Sequence, residues 1–175
     1  ALFDGRPDQL YARERSVGIM RLYHASNLSV ERPDTKHSRK YLDFGRGFYL
    51  TSIYDQAVRY GQRFKRRGQP AWLNTYELYD NCAVWNVKRF DSYDSEWLDF
   101  VAQCRDGKDV GEYDMVIGGI ANDRVILTLD RYFAGEITQD EAIGLLRYEK
   151  PNIQYCIRSE KMLQKCLTFI KSEQI

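Results

Sequence analysis

The run Asp43-Phe44-Gly45-Arg46-Gly47-Phe48-Tyr49-Leu50-Thr51 sets a glycine-rich turn in front of a short apolar strand. Gly45 and Gly47 permit positive φ or a close backbone approach, and Phe48-Tyr49-Leu50 reads as a buried strand whose middle residue carries a hydroxyl. A short loop upstream lies Leu22-Tyr23-His24-Ala25-Ser26, at the end of another strand that reads over Gly18 to Tyr23. The two strands set two polar side chains, His24 and Tyr49, on either side of the turn. Such a pair builds the floor of a pocket.

The surrounding composition is that of a globular chain. Its 175 residues are enough for one substantial core, so the reading is a single domain over residues 20–175 preceded by an extension, 1–19, of uncertain role. That extension is equally an expression remnant or the end of a preceding segment. Lysine and arginine (26) nearly balance aspartate and glutamate (25), so no whole-molecule field draws in nucleic acid or an anionic membrane. Four cysteines (Cys82, Cys104, Cys156, Cys166) show no C-x-x-C spacing, and with only His24 and His37 available there is no zinc constellation. They read as buried free thiols of a reduced cytosol, and no metal is expected. No long apolar span or signal-peptide pattern is present, which points to a cytoplasmic protein without membrane contact.

Downstream of the turn, Ser52 with Asp55 marks a helix start, and Ile53, Ala57, Tyr60 and Phe64 fall on one helical face. Arg59, Arg63, Lys65, Arg66 and Arg67 fill the rest of that helix; such a run reads first as a solvated face and dipole compensation, and second as a phosphate contact. A strand follows over Trp72 to Tyr79, then a short apolar run, Cys82 to Val87. Asp94-Ser95 opens a helix with Trp97, Leu98, Val101 and Cys104 as its stripe. Arg105 to Gly111 is a loop. Tyr113 to Ile120 is a buried strand whose Gly118-Gly119 admits a neighbouring backbone or ligand. Val125 to Phe133 is a helix stopped at Gly135, and Thr138-Gln139-Asp140-Glu141 is a capping box opening the next. Pro151 precedes the strand Ile153 to Ile157, Ser159 caps a short helix, and Leu167 to Ile170 returns as a strand. This order has no repeated βαβ unit, and no G-x-G-x-x-G joins a strand to a helix. The fold class is therefore α+β, without a Rossmann site.

Three separated pieces resemble the ADP-ribosyltransferase superfamily of the diphtheria-toxin and poly(ADP-ribose) polymerase type. Tyr23-His24-Ala25-Ser26 is similar to its His-Gly-Ser strand, Phe44-Gly45-Arg46-Gly47-Phe48-Tyr49-Leu50 to its Phe-Gly-Lys-Gly-Ile-Tyr-Phe strand, and Asn152-Ile153-Gln154-Tyr155 to its Asn-Glu-Tyr strand. Within it, the chain resembles a bacterial family of that fold catalogued as a domain of unknown function. The resemblance runs from about Met20 to the C-terminus and implies a split, mainly antiparallel sheet with flanking helices.

It also implies chemistry. Cleaving the bond between nicotinamide and ribose creates an oxocarbenium-like centre, so the leaving amide must be held and the ribose oriented. By resemblance the catalytic residues are His24, Tyr49 and Gln154, and NAD, the substrate, is held by His24, Ala25, Ser26, Gly47, Tyr49 and Tyr60. His24 would bond a ribose hydroxyl, the Ala25 backbone would grip the carboxamide, Tyr49 and Tyr60 would sandwich the ring, and Gln154 would reach the 2′-hydroxyl. The sequence also departs from the pattern. Ala25 replaces glycine, Ala57 replaces a serine that often holds the amide, and Gln154 has no charge to stabilise an oxocarbenium ion and cannot act as a base. Glu149, Glu160 and Asp123 are the carboxylates available instead.

The expectation is thus transfer of a single ADP-ribose to a macromolecular acceptor, protein rather than nucleic acid, in a bacterial toxin-like or regulatory enzyme with a cognate antitoxin or regulator as a further partner. An NAD or ADP-ribose sensor, an NAD glycohydrolase and a non-enzymatic partner-binding domain are the alternatives. Each residue also has a plainer reading: a lone histidine at a strand end is commonly structural, Tyr49 and Tyr60 pack in cores, and Gln154 is a polar residue at a sheet edge. His37 reads as exposed, Asp43 as a ligand of turn amides, and Trp72, Trp85 and Trp97 as core.

Overall fold

The structure is a computed structural model that describes residues 18–80 and 84–175. Its elements in chain order are β1 (Gly18–Ser26), β2 (Phe48–Leu50), α1 (Tyr54–Arg66), β3 (Trp72–Asp80), β4 (Val87–Arg89), α2 (Ser95–Arg105), β5 (Met115–Ile120), α3 (Asp123–Phe133), α4 (Gln139–Leu146), β6 (Asn152–Ile157), α5 (Glu160–Cys166) and β7 (Leu167–Gln174). Residues 1–17 and 81–83 lie outside the described residues, and with them Cys82 and Ala83 of the apolar run expected over Cys82 to Val87.

The strands form two sheets, β1-β3-β7 and β2-β6-β5-β4, antiparallel throughout except for the short β4–β5 pair. This is the α+β class with a split, mainly antiparallel core. The period of two sorts each strand's side chains between two apolar layers. Leu22, Tyr76 and Leu78 of the first sheet meet Phe48, Leu50, Met115, Ile117, Tyr155 and Ile157 of the second, and Met162, Leu163 and Cys166 of α5 join them. On its other face the second sheet turns Val116 and Cys156 toward α2, α3 and α4, which contribute Trp97, Leu98, Val101, Val125, Leu129, Ala142 and Leu146. Helix α1 lies against β1.

Most helix ends follow from their caps. Asp94 accepts from the Trp97 amide, Asn122 from Val125, and Ser159 from Met162, while Thr138 and Glu141 close a complete capping box. Helix α1 differs from expectation. Its N-cap residue is Ile53 without a side-chain cap, and the Thr51 hydroxyl, not Ser52, takes the Ile53 amide at 3.1 Å. Its buried residues are Ala57 and Gly61, not a face including Ile53 and Tyr60, which are 50% and 49% exposed. The close packing at Gly61 is the reason: a Cβ there would come within 2.5 Å of the Ile175 side chain and 3.6 Å of Ala25 Cβ, so the helix turns its smallest residues to the sheet. Strands β1 and β7 also run longer than their apolar cores, because antiparallel pairing to β3 holds polar residues such as His24, Ser26 and Ser172 in the ladder.

Gly118 and Gly119 are closely approached by aromatic side chains. A Cβ on Gly118 would lie 3.0 Å from Phe90 and one on Gly119 2.5 Å from Tyr93, so these glycines seat core rings and leave no room for a ligand.

Candidate functional site

The two sheets touch along one backbone seam. Tyr23 donates to the Thr51 carbonyl at 2.8 Å and Thr51 donates back at 3.0 Å, an isolated antiparallel bridge between β1 and the residue just after β2. In an antiparallel ladder every second residue points its N–H and C=O to the same side. Continuing the bridge would pair Ala25 with Tyr49. Instead, His24 Nδ1 stands 2.8 Å from the Tyr49 carbonyl oxygen, taking the acceptor that the Ala25 amide would have used. The strands part there, like a fork. Ala25 pairs with Leu73 of β3 on its other side, so its N–H and C=O face the gap.

The imidazole is fixed by these neighbours. Because a carbonyl only accepts, Nδ1 carries the hydrogen and Nε2 remains an acceptor. The ring packs on Phe48 with centroids 4.4 Å apart. Burial lowers its pKa below the ordinary 6.5, opposed by the bond to the Tyr49 carbonyl, so it is neutral at pH 7.

Tyr49 contributes its main chain to the fork and its side chain elsewhere. The phenol donates to Gly45 O at 2.6 Å and accepts from the Phe44 amide at 3.1 Å, which ties the glycine turn to the strand. Its ring lies nearly parallel to Phe44, 6.4 Å between centroids, in the layer beneath the helices. Burial pushes the phenol pKa strongly upward, so it stays protonated. Tyr49 is thus a structural tie whose ring faces a phenylalanine.

Gln154 lies on β6 opposite Gly118 of β5, two residues from Cys156, the register partner of Tyr49. Extending the β2–β6 register by one residue sets it opposite Thr51. Gln154 and the fork are therefore separated by about two strand spacings, roughly 10 Å. Its side chain follows the alternation of Cys156 and Tyr49, whereas His24 follows Leu22 and Phe48. His24 and Tyr49 meet at the seam, Gln154 lies one strand beyond it, and the three do not share one face.

Beside Gln154 runs a polar chain that the sequence does not announce. The Thr51 hydroxyl donates to Gln56 Oε1 at 2.8 Å, Gln56 Nε2 donates to Asn152 Oδ1, and the Asn152 amide donates to the Tyr93 hydroxyl at 3.3 Å. This chain joins α1 to β6 across the end of the second sheet. Tyr60, on the next turn of α1, is half exposed with the Arg63 guanidinium 4.8 Å from its ring centroid.

Other expected residues have local partners. Ser26 Oγ accepts from Leu28 N at 3.3 Å. Gly47 is closely approached by the protein: a Cβ there would lie 2.5 Å from Cys156 Sγ and 2.9 Å from Ile157 O, so the tight contact is to β6. Asp43 binds no turn amide among the described contacts. It pairs with Arg105 at 2.7 Å and accepts from Ala121 N at 2.9 Å. Glu160 is taken by the Thr35 amide and hydroxyl, both at 2.7 Å, and Glu149 by Arg124 at 3.2 Å. His37 is exposed and pairs with Asp34 at 2.8 Å. Trp97 is fully buried, and Trp72 and Trp85 are partly so. Cys104, Cys156 and Cys166 are buried free thiols. Among the described residues no cluster could hold a metal, and no helix is long and apolar enough to cross a membrane.

Two surface depressions lie away from the fork, one of about 560 Å³ lined by residues including Trp85, Lys161 and Cys166, the other of about 510 Å³ between α3 and α4. A family model described as "Protein of unknown function (DUF3990)" matches residues 20–169. No curated protein and no solved structure matches the chain.

Proposed function

The chain belongs to the DUF3990 family, and for this member we propose a mono-ADP-ribosyltransferase, similar to the diphtheria-toxin and polymerase-type enzymes, that moves one ADP-ribose from NAD to a macromolecular acceptor. The observation that carries the reading is the fork: His24 occupies the Tyr49 carbonyl and leaves the Ala25 N–H and C=O open side by side. A primary carboxamide presents the complementary donor and acceptor, so it docks on that edge as a strand would. Nicotinamide is such an amide.

The residues divide the work accordingly. Ala25 holds the amide by its backbone. His24, neutral and with Nε2 as acceptor, takes a hydrogen bond from a ribose hydroxyl. Tyr60 offers an exposed ring at the mouth for stacking, while Gln154, whose side chain follows the sheet face opposite to that of His24, is assigned the 2′-hydroxyl by the family resemblance alone. Tyr49 acts as a positioning residue, through its carbonyl on His24 and its phenol on the glycine turn. Breaking the nicotinamide–ribose bond builds positive charge on the sugar, and an uncharged Gln154 stabilises that charge less than a carboxylate would. Single transfer, without chain elongation, follows from the same lack of a base.

Incubating the protein with labelled NAD and bacterial lysate tests the reading. Label on a macromolecule with the wild type, lost with His24→Ala, supports it; label that persists in His24→Ala rejects the site. Gln154 also supports a second reading, an NAD or ADP-ribose sensor with little turnover. Wild-type binding of NAD without cleavage, together with cleavage gained by Gln154→Glu, would select the sensor.

A further inference from the structure

Helix α1 has a second face that the fork does not use. With Ala57 and Gly61 against β1, a period of 3.6 sends Arg59, Arg63 and Arg66, at i, i+4 and i+7, to the opposite side in one stripe, with Arg67 just past the helix end. Among the described residues none of Arg59, Arg63, Lys65, Arg66 and Arg67 forms a salt bridge, and the helix has one acidic residue, Asp55. The chain as a whole carries a net charge of only +1, so this is a local concentration of unmatched positive charge.

One exposed aromatic ring borders the stripe. Tyr60 is 49% exposed, braced edge-on by Phe64 at 6.1 Å, with Arg63 over its face at 4.8 Å. A braced ring beside guanidinium groups that form no salt bridge among the described residues provides the two elements that a strand with unstacked bases requires, charge for the phosphates and a flat surface for a base.

We propose that the outer face of α1 binds single-stranded nucleic acid, the arginine stripe following the phosphates and Tyr60 with Arg63 stacking a base. A duplex hides the base face that this ring would meet, and an acidic peptide would satisfy the arginines but leave the ring unused. Strand binding does not require NAD, although Tyr60 is shared with the proposed nicotinamide site, so the arginine variants, not Tyr60→Ala, separate the two. One consequence does rest on the proposed transferase: Gln56 and Tyr60 lie on the flank of α1 nearest Gln154, so a strand on the stripe reaches the mouth of the fork, and the acceptor becomes nucleic acid rather than protein.

Fluorescence anisotropy with labelled oligouridine and oligothymidine, without NAD, separates the two claims. The expected result is salt-sensitive binding whose log–log slope falls by about two in the triple variant Arg63→Gln, Arg66→Gln, Arg67→Gln, since each lost phosphate contact on a single strand removes about 0.7. Tyr60→Ala should weaken binding at least about fivefold with the slope unchanged. Far-UV circular dichroism confirms that each variant is folded, and Arg59→Gln with Arg66→Gln serves as a second stripe variant should the triple one fail that check. No binding at low salt, equal binding by the stripe variants, or equal affinity for duplex or polyglutamate would overturn the proposal. Loss of labelling activity with strand binding intact would count against the transferase alone.

Discussion

At the scale of single residues, His24 and Gly47 make the sharpest claims. The folded pKa of His24 lies below 6.5, so between the two values the unfolded chain takes up the proton first. Stability from this group is present above pH 6.5 and is lost as pH falls through the depressed folded value. Melting temperatures measured from pH 7.5 to 5 should therefore drop more in the wild type than in His24→Gln, which has no proton to gain; parallel curves would refute the partly buried, neutral imidazole. NAD affinity should fall over the same acid range, because protonation removes the Nε2 acceptor. Gly47 tests the close approach beneath the turn. A methyl group there would overlap Cys156 Sγ and Ile157 O, so Gly47→Ala should cost about 1 to 3 kcal/mol by urea denaturation. A change under about 0.5 kcal/mol would mean that β2 and β6 yield easily.

Among the elements, the glycine turn is fastened from outside by Asp43. One carboxylate holds the Arg105 guanidinium at the end of α2 and the Ala121 amide after β5, so it joins three segments around the loop that carries Tyr49. Removing it leaves a partly buried guanidinium and an amide without their partner, and Asp43→Ala should destabilise the protein by about 1.5 to 3 kcal/mol in urea. Arg105→Ala should cost less, since the Ala121 bond survives. This clamp also marks where the sequence stops being informative. The glycine turn, the capping box at Thr138 and the α2 stripe from Trp97 to Cys104 were legible because each is a local signal within one or two turns of chain. Asp43 meets Arg105 across 62 residues, and Gln56 meets Asn152 across 96, and no local pattern encodes such a meeting. The buried face of α1 departs from the apolar spacing for a related reason: Ile53 and Tyr60 are the more apolar residues, but contact with Ala25 and Ile175 favours the small Ala57 and Gly61. At the site, the sequence nominates His24, Tyr49 and Gln154, while their division between two faces depends on which strand partners which. Two orphaned backbone groups at Ala25 have no sequence signature beyond the histidine that precedes them.

For the whole molecule, the split core makes the proposed function a question of backbone pairing. The sheets are packed through side chains over a broad apolar layer, but their main chains meet at the Tyr23–Thr51 bridge, and β1 then continues with β3 alone. An amide bonded on both sides of a seam exchanges slowly, and one pointing into a gap exchanges fast. In the free protein, residue-resolved hydrogen exchange should therefore show Tyr23, bonded to Thr51, as protected, and His24 and Ser26, turned to β3, likewise. Ala25 alone in that run should exchange rapidly. Adding NAD, or nicotinamide by itself, should slow Ala25 selectively, since the carboxamide oxygen becomes its acceptor. Protection of Ala25 without ligand would mean that the fork is closed and that no amide can dock there; rapid exchange unchanged by NAD would leave the fork open but assign it no nicotinamide. His24→Ala separates the wedge from the ligand: without the imidazole on the Tyr49 carbonyl, Ala25 is free to pair with Tyr49, so its amide should become protected in the absence of NAD, and the bridge should lengthen by one pair.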